Sequence, residues 1–250
     1  MLQSSLSVSR RSLLCGCAGS LFLGACGGGS ESTQNSSGAT NGARGCLSVS
    51  AYGTRATSAP GCGLPALTSG NAAQDAAFVN EFNAQVNFWG IPGVSFAFLN
   101  DCNSPNALAN PQDRSILFGL AMVQKLLREF GNQIPLWQVM AHEWGHQIQF
   151  ALGDNWLNAS TVAPKELEAD MFSGFYLLIA KNSQNLSSSI TAAFSLGDWE
   201  FNNPSHHGTP TQRGAAVVAG GRVALEYTSG YVRTFPEIRF RFAQELARIL

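Results

Sequence analysis

Two histidines four residues apart inside a helical pattern constrain this chain more than any other feature. The segment Met140-Ala141-His142-Glu143-Trp144-Gly145-His146-Gln147 carries the spacing H-E-x-x-H. The surrounding run, residues 136 to 152, has Pro135 before its first turn and Gly153 after its last, the usual helix punctuation. On a helix, His142 and His146 project from one face and can grip one metal ion. Glu143 lies about 100° further round, close enough to reach a water at that ion but poorly placed as a third ligand. That geometry suits zinc-assisted hydrolysis, in which the metal lowers the pKa of water and the glutamate takes its proton.

The first residues do not read as part of a fold. Ser9-Arg10-Arg11-Ser12-Leu13-Leu14 is a charged leader with twin-arginine character, and the apolar run that follows to Ala25 is too short for a comfortable membrane span. Leu23-Gly24-Ala25-Cys26 looks like a bacterial lipobox. Residues 1–26 are therefore expected to be a signal peptide, with Cys26 lipidated and the protein exported, periplasmic or at the cell surface and held on a membrane. An ordinary cleaved signal peptide or a short anchor is the alternative. Residues 27–45, mostly Gly, Ser, Asn, Thr and Ala, read as a flexible tether. Residues 46–250 suffice for one domain with a substantial core.

Charged residues make up 12% of the chain and nearly cancel, with a formal net charge of −1. With no basic patch interleaved with aromatics, a nucleic-acid partner is not expected. Cys46, Cys62 and Cys102 remain after the leader, so an oxidising compartment predicts one disulfide and one leftover thiol. Pairing Cys46 with Cys62 would staple the Gly/Pro-rich start of the domain, but spacing does not choose the pair.

Along the domain, residues 46 to 70 are loop-like. Asn71 can cap a helix running to about Trp89 with an apolar stripe of Ala77, Phe78, Phe82, Val86 and Trp89. Residues 94 to 99 read as a strand. Residues 100 to 113 read as a polar loop in which Pro105 and Pro111 forbid regular structure. Residues 115 to 118 fit a short strand or a helix start, and residues 119 to 130 an amphipathic helix closed by Gly131. The last helix, beginning at Thr234, offers Phe240, Leu246 and Leu250 for packing, with Arg239, Arg241 and Arg248 on solvated faces.

Two histidines do not complete a catalytic zinc site, which normally has three protein ligands and one open position. The next helical pattern, with Thr161 as its cap and Pro164 in its first turn, supplies Glu166 and Asp170 on one face. Glu168 points about 160° away from Glu166. Glu166 is expected as third ligand, with Asp170 fixing a histidine tautomer from behind; periodicity alone leaves Glu168 open. An acidic helix start favoured by the helix dipole is the alternative to any site at all.

Four ordered blocks then carry a family resemblance. His142-Glu143-Trp144-Gly145-His146-Gln147-Ile148-Gln149, Glu166-Leu167-Glu168-Ala169-Asp170 through Gly174, Gly197-Asp198, and His207-Gly208-Thr209-Pro210-Thr211-Gln212-Arg213 resemble the bacterial neutral zinc metallopeptidases, whose pattern runs HExGHxxQ, ELxADxxxG, Gly-Asp and HGTxxQR. More distantly, the layout is similar to membrane zinc endopeptidases of the prenyl-protein-processing type. The resemblance covers about residues 115 to 225. It implies a gluzincin-type fold with Glu166 as ligand. It also brings His207 forward as a catalytic residue that could steady the oxyanion, or else as a brace for the helix starting near Thr209-Pro210. Arg213 would serve the same oxyanion or pair with a structural carboxylate. His206 is expected at the surface and Asp198 as a loop-ordering residue. The chain departs from the pattern after Arg213, where Gly214-Ala215-Ala216-Val217-Val218-Ala219-Gly220-Gly221 is small and apolar, and before residue 90, which matches nothing in the family.

Together these readings predict an α+β, zincin-like domain, mainly helical, with a small sheet packed on the HExxH helix. One Zn2+ per chain would be held by His142, His146 and Glu166, and Glu143 would act as general base in hydrolysing the peptide bonds of a peptide or protein substrate. The alternatives are a non-catalytic metal-binding scaffold, which an intact Glu143 argues against, and a zinc amidase acting on cell-wall material.

Overall fold

The computed structural model describes residues 62–102, 105–153, 159–183, 186–197 and 205–250. The expected leader, Cys26, the tether, Cys46 and Asp198 lie outside the described residues. Among those described, the architecture is α+β: seven helices and a small four-stranded sheet. No helix among them is long and apolar enough to cross a membrane.

The sheet comprises β1 (Pro65–Ala66), β2 (Ser95–Leu99), β3 (Ala107–Ala109) and β4 (Ser115–Gly119), in the order β1-β2-β4-β3. Strands β2 and β4 run parallel in the register Phe96 to Ile116, while β1 and β3 pair antiparallel at the two edges. Strand β3 corrects the expectation of an irregular loop. Pro105 and Pro111 flank its three residues rather than interrupting them, so no ladder hydrogen bond is lost.

Helix α1 (Ala72–Trp89) begins where the Asn71 side chain accepts a hydrogen bond from the Gln74 amide at 3.1 Å, and ends at Gly90 with φ 68°. Its buried face is Phe78, Glu81, Gln85 and Trp89; Phe82 and Val86 from the expected stripe are only half-buried. Phe78 stacks edge-on against Phe98 and Phe118 of the sheet and Trp137 beyond it, at centroid distances of 5.2, 5.0 and 5.3 Å. These contacts join α1, the sheet and the helix carrying Trp137 in one core.

Helix α2 (Leu120–Phe130) starts at Gly119, which has no capping side chain. Buried Asp101 substitutes for one, accepting from the Ala121 and Met122 amides at 2.7 and 3.1 Å. The neighbouring Cys102 is bonded to Cys62, which resolves the open cysteine pairing against the Cys46–Cys62 staple.

Helix α3 (Ile134–Leu152) carries the motif and is buried on every side from Pro135 to Gln149. A helix buried all round belongs in the middle of a fold. On one side, Gln147 Nε2 donates to the Ser115 carbonyl of β4 at 3.0 Å. On the other lies α4 (Ala163–Ala180), so close that a Cβ on Gly145 would sit 2.8 Å from Ala169 Cα. The cap of α4 is Val162, with no side-chain hydrogen bond, and Thr161 Oγ1 reaches only the Ala163 amide, at 3.4 Å.

Helices α5 (Ser187–Ser195), α6 (Pro210–Thr228) and α7 (Phe235–Ile249) complete the helical layer. The small residues after Arg213 have a packing reason. A Cβ on Gly174 of α4 would lie 2.0 Å from the Val217 carbonyl oxygen, and one on Gly220 of α6 would lie 2.0 Å from the Met171 carbonyl oxygen. On α7 the buried residues are Ile238, Phe242, Glu245 and Leu246, while Phe240 and Leu250 are exposed, contrary to expectation. Arg239 is not solvated either; it reaches into the fold to Glu168.

Candidate metal centre

The site is built where α3 and α4 touch. Glycine at position 145 lets the two backbones meet, and this brings the Glu166–Asp170 face of α4 against the histidine face of α3. His142 Nε2 lies 3.3 Å from Glu166 Oε2, and His146 Nε2 lies 3.4 Å from Glu166 Oε1. The candidate ligand atoms of His142, His146 and Glu166 all fall within 4.8 Å of one another, and all three residues are buried. Two imidazole nitrogens and one carboxylate oxygen form a donor set suited to zinc and to other divalent transition metals. The cluster can therefore hold a metal ion, whose identity the geometry leaves open.

Electrostatics favour an ionised Glu166. Burial works against a charge on Glu166, but His146 and His142 outweigh it and hold the carboxyl well below the usual carboxylate range. His142 Nδ1 donates to Asp170 Oδ1 at 2.9 Å, which leaves Nε2, on the Glu166 side, as the ligand atom when the ring is neutral. Asp170 in turn is gripped by Arg213 of α6 through Nε and through Nη2, the latter at 3.0 Å. Burial again opposes ionisation, and Arg213 with His142 again wins, so Asp170 titrates below its ordinary value.

Glu143 faces a different environment. It is 2% exposed, its Oε2 has no hydrogen-bond partner among the described residues, and burial raises its pKa, although His142 and His146 pull the other way. A carboxylate whose pKa is raised by burial is a better proton acceptor than an exposed one. It lines a cavity of about 120 Å³ together with His142, His207 and Arg213, and with the apolar side chains of Met122, Val139 and Leu196. Asn106 and Ala107, at the start of edge strand β3, form another part of the wall.

The block from His207 to Arg213 divides its tasks. His207, half-buried, lines the cavity. Gly208, at φ 94°, makes the turn into α6 in a left-handed conformation that side chains rarely adopt. Thr209 and Gln212 form a reciprocal capping box, with Thr209 Oγ1 accepting at 3.2 Å and Gln212 Oε1 at 2.9 Å. Arg213 has the structural pairing with Asp170, the alternative to an oxyanion role. His206 is 5% exposed, which corrects its expected surface position.

Glu168, left open as a ligand by periodicity, points away from the triad and pairs with Arg239 at 3.0 and 3.2 Å. Gln149, which carried no expected role, bonds His146 Nδ1 at 2.9 Å. Its place three residues after His146 on the same helix face was the available signal. Arg239 left no such signal, being 71 residues from the glutamate it meets.

No protein-family model, no curated protein and no solved structure matches this chain.

Proposed function

We propose that the chain is a zinc metallopeptidase with a zincin-like arrangement, of the kind its four motif blocks resemble. The observation that carries the reading is the buried His142–His146–Glu166 cluster with Glu143 beside it on a cavity wall. Zinc bound there would supply Lewis acidity toward a water and a substrate carbonyl.

The chain's own residues would then act as follows. Glu143, kept basic by burial, takes the proton of the attacking water and passes it to the departing amine. His207, on the same cavity wall, offers a polar contact to the oxygen on which charge develops. An extended peptide would reach the cavity beside edge strand β3, whose start forms part of the cavity wall. Buried Asn106 Nδ2, with no partner among the described residues, supplies a donor at that wall. Met122, Val139 and Leu196 form the apolar part of the cavity beside the reacting centre. Export and a lipid anchor at Cys26 complete the proposal and rest on the leader sequence.

The test is metal content followed by turnover. Protein purified without added metal or chelator should carry about one zinc per chain. Glu143→Gln should keep that zinc and lose about 100- to 10 000-fold in peptide hydrolysis. A well-folded protein that takes up no zinc, or a Glu143→Gln variant with undiminished hydrolysis, removes the reading.

A further inference from the structure

The two histidines are braced differently. Behind His142 stands a carboxylate, Asp170, neutralised by Arg213. Behind His146 stands a neutral amide, Gln149, whose Nε2 lies 2.9 Å from both the Lys165 carbonyl oxygen and Glu168 Oε2. Those two partners only accept hydrogen bonds, so the amide has one orientation available: NH2 toward them and Oε1 toward His146. An accepting oxygen 2.9 Å from Nδ1 requires the proton on Nδ1. In the neutral ring, His146 Nε2 then carries the lone pair on the Glu166 side.

Glu168 is itself held by the paired donors of Arg239 on α7, so the chain of contacts runs from the last helix to the histidine: Arg239, Glu168, Gln149, His146. Each member is at least mostly buried, Arg239 keeping 12% of its side chain exposed. Charges cancel along it, because Arg239 offsets Glu168 just as Arg213 offsets Asp170. Neither brace therefore adds net charge to the centre.

We propose that Gln149 is a positioning residue, oriented by Glu168 and Arg239, that locks His146 in the Nδ1-protonated tautomer and so delivers Nε2 to the metal cluster. Its use in metal binding rests on the zinc reading above; the tautomer lock does not. Gln149 touches neither substrate nor metal and acts only through His146.

Two measurements test it on the full chain. The first needs no variant: long-range proton–nitrogen NMR of histidine-labelled, zinc-free protein at a pH above the imidazole range, assigned with single-histidine substitutions. His146 should carry its proton on Nδ1; a proton on Nε2 overturns the proposal. The second compares zinc affinity, by chelator competition, in Gln149→Leu and in Gln138→Leu. The latter removes a buried amide one turn before His142 on the same helix, which contacts Ser173 and is hydrogen-bonded to none of the three candidate ligands. Gln149→Leu should weaken zinc binding by about 10- to 100-fold and mix the two tautomers, while Gln138→Leu leaves both unchanged. Unchanged tautomer and affinity in Gln149→Leu, or equal losses in Gln138→Leu, assign Gln149 a merely structural role. If the unaltered protein binds no zinc, the metal reading fails by itself, and the tautomer in Gln149→Leu still decides for or against the lock.

Discussion

Asp170 carries a charge that burial penalises and two neighbours require. Arg213 and His142 together hold its pKa below the unfolded value of about 4. A depressed carboxylate contributes stability that is fully present above the unfolded value and is lost as pH falls through the folded one. Arg213→Met removes the larger of the two supports and leaves the burial in place, so the Asp170 pKa must rise. The stability gap between the variant and the unaltered protein, followed by denaturant titration across pH, should then be widest at neutral pH and narrow as pH falls and Asp170 is protonated. At neutral pH the same substitution should cost about 3–5 kcal/mol in denaturant titration, because it strands a buried charge. If Arg213 served only the oxyanion and not Asp170, turnover would fall while stability stayed the same at every pH.

Helix contacts set the site's dimensions, and glycines set the helix contacts. Gly145 allows α3 to touch α4 at Ala169, and Gly174 and Gly220 allow α4 to touch α6. The obstacles in all three places are backbone atoms, which cannot rotate aside as a side chain can. Gly174→Ala and Gly220→Ala should each cost about 1–3 kcal/mol or more, read from the chemical-denaturation midpoint. Gly145→Ala should in addition separate the histidine face from Glu166, so metal affinity should fall more than stability alone explains. A Gly145→Ala protein with full zinc affinity would show that the close approach is not what assembles the triad. The small-residue segment after Arg213, a departure from the family pattern at the level of sequence, is accounted for at this scale. It is the complement of α4.

For the molecule as a whole, the Cys62–Cys102 bond links residues 40 positions apart and holds β1 against the end of β2, next to the Asp101 cap of α2. Replacing both cysteines by serine should lower stability by about 2–4 kcal/mol, seen as a drop in Tm of about 5–15 °C by calorimetry. A negligible change would mean that the sheet and α1 already hold this edge. The expected lipid anchor is tested in a bacterial host by labelled fatty acid, which should be incorporated by the chain and lost in Cys26→Ala. A chain that is exported yet unlabelled would point to an ordinary cleaved signal peptide.

Local geometry made much of the centre legible before any fold was considered. A spacing of four places His142 and His146 on one face, the same rule joins Glu166 to Asp170, and Asn71, Thr209, Thr234 and the glycines at 90, 131 and 153 mark helix ends. All of these follow from helical periodicity and backbone rules, which act within a few residues. Tertiary structure alone decided which glutamate of α4 faces the histidines, that Arg213 serves Asp170, that Cys62 pairs with Cys102, and that Arg239 belongs to the site's support. Those contacts span tens of residues and depend on how near two backbones can come. That distance is set at Gly145, Gly174 and Gly220 by the absence of a side chain, which periodicity cannot turn into a position in space.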